Sequence, residues 1–126
     1  MSHALRYVLF WHTPPDRSPH FDLMLETHPR RKLLKFETPS LRLPLKTPLK
    51  LSFTGTVRRR YLAFEGDIGK GRGSVKRVAQ GTYSLTQHKN YASLTIVGGI
   101  LGGSYSLRQK ASNQYTLSPR KQASLS

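Results

Sequence analysis

Apolar residues along this chain recur mainly at every second position, and that spacing predicts strands. In HFDLMLE (20–26), Phe21, Leu23 and Leu25 fall on one face, with His20, Asp22, Met24 and Glu26 on the other. LRYVLFW (5–11) is aromatic and β-branched throughout, as in a strand buried on both faces. Further strand-like runs are RKLLKFET (31–38), LKLSFTGTV (49–57), YLAFEG (61–66), GSVKRVAQGTYSL (73–85), YASLTIVGG (91–99), GSYSLRQ (103–109) and QYTLS (114–118). The stretch PSLRLPLKTPLK (39–50) holds three prolines, which exclude a regular helix and suit an extended connection. Gly55, Gly98-Gly99 and Gly102-Gly103 punctuate turns.

No segment sustains helical spacing and no internal repeat is visible. The class is therefore all-β with little helix, and many short strands at roughly ten-residue spacing suit a sandwich or a closed barrel. A length of 126 residues fits one domain, taken as 1–118, with a small, polar, basic tail at 119–126. Without a cysteine the chain has neither a disulfide framework nor a thiolate metal site. It lacks an apolar run long enough to span a bilayer, and its start does not read as a secretory signal, so the expected compartment is the cytoplasm, with no membrane partner.

Charge sharpens the picture. Lys and Arg number 21 against six carboxylates, a formal net charge of +15, and no acid follows Asp67. Such a field attracts polyanions, nucleic acid first among them. It also makes each remaining acid worth inspection.

Asp22 stands out because His20 lies two positions before it, so on a strand both side chains leave the same face about 7 Å apart. His12 ends the preceding strand, and the turn-rich TPPDRSP between them would let a hairpin bring it beside His20. Two imidazoles and a carboxylate suit one divalent ion of the Mn²⁺ or Zn²⁺ kind. An H-x-D pair is common, and surface residues at a strand end are the plainer alternative. Glu26 shares their face and is a candidate to support them. A second stretch, EGDIGKGRG (65–73), sets Lys70 and Arg72 between Gly69, Gly71 and Gly73, either an anion-cupping loop or a mobile basic hairpin. His3, His28 and His88 read as surface residues, Trp11 as core and Glu65 as a structural ion-pair partner.

Taken in order, RYVLFWH, HFDLMLE, YLAFEGDIGKGRGSVKRVAQGTY and LGGSYSLRQ resemble successive segments of the 3′-phosphoesterase domain of bacterial DNA ligase D, and more closely its small stand-alone relatives. The resemblance implies a compact antiparallel β-barrel with His12, His20 and Asp22 converging inside it on one ion, Mn²⁺ before Zn²⁺. It further implies removal of a terminal ribonucleoside and then of the 3′-phosphate from DNA 3′ ends in repair. The expected substrate is a primer–template or nicked duplex, and the expected state is a monomer acting alongside a separate ligase or polymerase. Tyr61 falls on a phosphate-contacting tyrosine. Two positions depart from the ligase-linked pattern: Met24 stands where an arginine is expected and Val57 where a histidine is expected. Candidate replacements are Arg59, which strand alternation would turn toward the face of Val57 and Tyr61, and Lys70 or Arg72. Arg58, Arg60, Lys70, Arg72, Lys76 and Arg77 are the expected nucleic-acid contacts. A barrel that binds nucleic acid with its site degraded, and a basic accessory protein that recruits a repair enzyme, are the alternatives.

Overall fold

The computed structural model describes residues 4–120. Nine strands form: β1 (Leu5–Thr13), β2 (His20–Leu25), β3 (Leu33–Thr38), β4 (Leu49–Val57), β5 (Gly66–Asp67), β6 (Ser74–Gln87), β7 (Ala92–Ile96), β8 (Gly103–Ala111) and β9 (Gln114–Pro119). All pairings are antiparallel, in the order β1-β2-β3-β4-β9-β8-β7-β6, and β6 pairs back onto β1. That closes an eight-stranded barrel and removes the exposed edges an open sheet would carry. The two-residue β5 is an addition beside the start of β6.

Closure depends on the length of β6. Its first ten residues pair with β1 and its last five with β7, and Val78 bulges out between Ala79 and Arg77 opposite Leu9 and Phe10. A bulge of this kind bends a strand and raises its twist, as a closing strand requires.

The cross-strand register divides the apolar residues into two sets. Tyr7, Leu9, Leu23, Leu25, Phe36, Leu51, Tyr83, Leu94, Ile96, Tyr105 and Leu117 form one cluster to which all eight barrel strands contribute. It is therefore the barrel interior. The second cluster, Val8, Phe10, Met24, Leu33, Leu62 and Val75, draws only on β1, β2, β3, β6 and the segment before β5. It occupies the outer face, which explains why β1 is buried on both sides, with Val8 and Phe10 as inaccessible as Tyr7 and Leu9.

What covers that outer face differs from the sequence expectation. The run YLAFEG does not pair as a strand: Arg59–Leu62 form a single 3₁₀ turn, and only Gly66–Asp67 join a ladder. Leu62 is buried, and Tyr61, Phe64 and Ile68 pack against the outer cluster. The segment thus crosses the sheet instead of extending it. The proline-rich 39–48 stretch forms no helix or strand and bends at several positions, with Leu41, Leu43 and Leu45 packed against the interior. Half-buried Trp11 meets Phe21 edge-on at 4.7 Å. The chain remains ordered past the expected end of the domain at 118, since β9 includes Pro119 and the Arg120 N–H donates to Ser104 O. The rest of the expected tail, 121–126, and His3 lie outside the described residues. Among those residues no helix is long and apolar enough to cross a membrane.

Candidate metal centre

β1 and β2 bring the three candidate ligands together through register. His12 is the direct cross-strand partner of His20, and Phe10 that of Asp22. With a period of two, His12, His20 and Asp22 all leave the outer face of the barrel. The expectation of a site inside the barrel is corrected accordingly: the interior face of these strands carries Trp11, Phe21, Leu9 and Leu23 instead.

His12 Nδ1 lies 3.1 Å from Asp22 Oδ2, and His20 Nε2 lies 3.1 Å from Asp22 Oδ1. Neither contact has hydrogen-bonding direction, and His12 Nδ1, His20 Nε2 and Asp22 Oδ1 are buried polar atoms without a partner. Such atoms are expensive, each costing about 1–3 kcal/mol when left unsatisfied. Ligand atoms bound at about 2.1 Å on perpendicular axes of one ion stand roughly 3 Å apart. The three groups, whose ligating atoms lie within 4.8 Å of one another, therefore have the spacing of a ligand set.

The far nitrogens of both rings are engaged. His12 Nε2–H donates to Arg72 O at 3.0 Å, and His20 Nδ1–H donates to Ser18 O at 3.2 Å. A carbonyl only accepts, so each bond fixes the tautomer that aims a lone pair at the shared point. This backbone support of the distal N–H is characteristic of metal-binding histidines. The rings meet edge-on, 4.9 Å apart at 67°.

Charge around the ligands is organised by two β3 residues that sequence reasoning missed. Glu37 pairs with Asp22 and Lys35 with Met24. Glu37 Oε1 lies 3.2 Å from His20 Nε2 and 3.5 Å from Lys35 Nζ, while its Oε2 accepts from the Arg17 guanidinium at 3.1 Å. Burial would raise the Glu37 pKa, but the Arg17 hydrogen bond and the Lys35 and His20 charges outweigh it and hold the carboxyl below its usual range. Asp22, 1% exposed, shows the opposite balance: burial raises its pKa more than Lys35 and the two histidines lower it. A carboxylate so short of positive charge is one that a bound cation relieves.

Beside the ligands is a pocket of about 140 Å³ lined by His12, Asp22, Met24, Lys35, Val57, Tyr61, Ile68, Arg72 and Val75. Tyr61 and Arg72 both line this pocket. Met24 and Val57, the two departures from the ligase-linked pattern, face the same space. A groove of about 310 Å³ continues from it, sharing Val57, Tyr61 and Arg72 and adding Lys32, Arg58, Arg60 and Lys70. A separate cavity of about 510 Å³, lined by Phe53, Tyr91 and Tyr115 among others, touches none of the three ligands.

Three expectations are corrected. Arg59 does not reach the pocket. Its guanidinium is paired with Glu26 and donates to His28 O at 3.0 Å and Arg31 O at 3.1 Å, because the 3₁₀ turn breaks the alternation that would have aligned it with Tyr61. Glu26 does not support the ligands either. Roughly 13 Å along the strand from Asp22, it takes Arg59 and the Arg6 N–H. Arg77 is a structural clasp: it lies over Phe10, donates to Phe64 O at 2.8 Å, and its N–H bonds Glu65. Glu65 is structural as expected, but its partner is that backbone amide. Lys76 is exposed across from Trp11. The glycine loop satisfies itself, with Gly69 N–H bonded to Asp67 Oδ1 and Arg72 N–H to Gly69 O. Its recognisable service is to present the Arg72 carbonyl to His12.

A scan against protein-family models and a search of curated proteins found no match to this chain.

Proposed function

We propose that this protein is a divalent-metal-dependent phosphoesterase that processes the 3′ ends of DNA, removing a terminal ribonucleoside or 3′-phosphate during repair. The observation that carries the reading is the convergence of His12 Nδ1, His20 Nε2 and Asp22 Oδ1, buried, without a hydrogen-bond partner among the described residues and spaced as ligands. Nitrogen and carboxylate donors together suit Mn²⁺, with Zn²⁺ as the second choice. Held by His12, His20 and Asp22, such an ion would supply Lewis acidity toward a phosphoryl oxygen and would lower the pKa of a water. Tyr61, at the junction of pocket and groove, orients the phosphate by donating its phenolic hydrogen. Lys32, Arg58, Arg60, Lys70 and Arg72 hold the strand that leads to the site. Release of the ribonucleoside leaves a 3′-phosphate, and hydrolysis of that phosphate leaves the 3′-OH that a separate polymerase or ligase uses.

The second reading, a nucleic-acid-binding barrel without turnover, is favoured by the apolar Met24 and Val57 in the pocket. One assay separates them. The protein is incubated with Mn²⁺ and a primer–template ending in a single 3′-ribonucleotide or a 3′-phosphate. Loss of the terminal group, abolished by His20→Ala and by Asp22→Ala, supports catalysis. An unaltered 3′ end on DNA that the protein still retains leaves the binding reading.

A further inference from the structure

We propose that Lys35 is the phosphate-facing cation of this site, supplying from β3 the positive charge that Met24 and Val57 do not. The inference deepens the metal-centre reading and rests on it.

The argument is positional. Lys35 lies directly across from Met24 on one side and from Gly55 on the other, and a glycine has no side chain to cover it. Its side chain is only one-fifth exposed, so it does not extend into solvent as surface lysines do. It lines the same pocket as His12, Asp22 and Tyr61, and Arg72 is the only other lysine or arginine on that wall. Arg72, by contrast, is exposed on the glycine turn, and its defined contact with the ligands is made by its carbonyl.

The ion pair that Lys35 makes is a shared one. Its carboxylate neighbour is Glu37, at 3.5 Å, and Glu37 already accepts a closer hydrogen bond from Arg17. With its charge also felt by Asp22 but a single carboxylate contact, the Lys35 ammonium keeps N–H donors for a third party. An ammonium is a compact charge with three rotatable donors, able to meet a phosphoryl oxygen without the planar match a guanidinium needs. Fixed near the ligands in a partly buried pocket, it would act where charge gathers on phosphorus, as preorganised donors do.

The test uses the full chain and inorganic phosphate as probe. Mn²⁺ affinity is measured by titration, and phosphate binding to the Mn²⁺-loaded protein by ³¹P relaxation, for wild type, Lys35→Met and Lys35→Arg. Thermal unfolding confirms that each variant is folded. Lys35→Met is expected to keep Mn²⁺ affinity within about threefold, weaken phosphate at least about tenfold, and slow release of a 3′-phosphate by about 10²-fold. Lys35→Arg is expected to restore much of the phosphate affinity. Unchanged phosphate affinity in a Lys35→Met protein that binds Mn²⁺ normally overturns the role of Lys35 alone. Failure of the wild type to bind Mn²⁺ overturns the metal-centre reading and this inference with it.

Discussion

Adding one methyl group at Gly73 tests whether the glycine loop positions His12. Gly73 has φ +90°, and a Cβ there would stand 2.1 Å from Thr13 O and 2.7 Å from Pro14 Cα. Both are backbone atoms, so no side chain can swing away. The positive φ alone costs an alanine about 1–2 kcal/mol. Relieving the overlap to 3.0 Å requires the loop to back off β1 by about 0.9 Å. The Arg72 carbonyl moves with it, stretching its 3.0 Å bond from His12 Nε2 past hydrogen-bonding range. His12 then loses the contact that fixes its tautomer, and loss of such support costs 10–100-fold in metal affinity, about 1.4–2.7 kcal/mol. Gly73→Ala is expected to lower Tm by about 10 °C and to weaken Mn²⁺ by that factor in a direct titration. Gly71→Ala is the control: its φ is +67° but no atom lies within 4 Å of the new Cβ, so it carries the backbone strain alone and binds Mn²⁺ normally. Wild-type Mn²⁺ affinity in Gly73→Ala would refute the role given to the loop.

Three further outcomes are expected. Arg59→Ala removes the partner of buried Glu26 and two bonds to carbonyls, at a cost of about 2–3 kcal/mol read by urea unfolding. Mn²⁺ binding and 3′-end processing should be unaffected, and a selective loss of activity in a stable Arg59→Ala protein would return Arg59 to the site. With the five bases of the groove each meeting one phosphate of duplex DNA, log affinity should fall against log salt with a slope of about −4.5, and Arg58→Ala should flatten it by about 0.9. A slope near zero would show that the groove does not hold the strand. Burial raises the pKa of Tyr7, Tyr83 and Tyr105 above 10.0. Their contribution is thus fully present below pH 10 and is lost as pH rises beyond it, which a pH series of urea melts measures. Tyr83→Phe, which strands Glu26 O, should cost about 1–2 kcal/mol at pH 7 and make the alkaline loss shallower, so an unchanged alkaline slope would argue against the assignment.

The sequence was readable wherever period-two spacing carried the information. His20 and Asp22 share a face because a strand alternates, and that much needs no partner strand. His12 was reachable too, since a turn-rich link between two strands makes a hairpin. Glu37 and Lys35 were not, because their place beside Asp22 and Met24 depends on the register of β2 against β3, which the long connection between them does not specify. Arg59 was misplaced for a related reason. YLAFEG has strand alternation, but alternation records only that every second residue is buried. It does not distinguish a strand in a ladder from a chain lying across a sheet, and here the apolar outer face of Val8, Phe10 and Met24, which needs a cover, favours the second. The glycine loop was read for its N–H groups, whereas its carbonyl at Arg72 matters to the site.

Placing the site on the outer face settles an electrostatic difficulty. The barrel interior is lined by apolar and aromatic side chains, an environment that penalises a divalent ion with two phosphate charges. Outside, under the 59–73 segment, the ligands are buried yet one wall opens on a basic groove. Around the ligands, Asp22 and Glu37 face Lys35, Arg17 and Arg72, so the carboxylates are not in excess. On the proposed reading the neutral imidazoles add no charge, so the two positive charges of the ion are left without a protein counter-charge. The group that completes the balance is a dianion. That is the charge of a terminal phosphate monoester, which on the same reading would arrive along a groove whose five bases face the strand behind it and leave the ion's own charge for the group at its end.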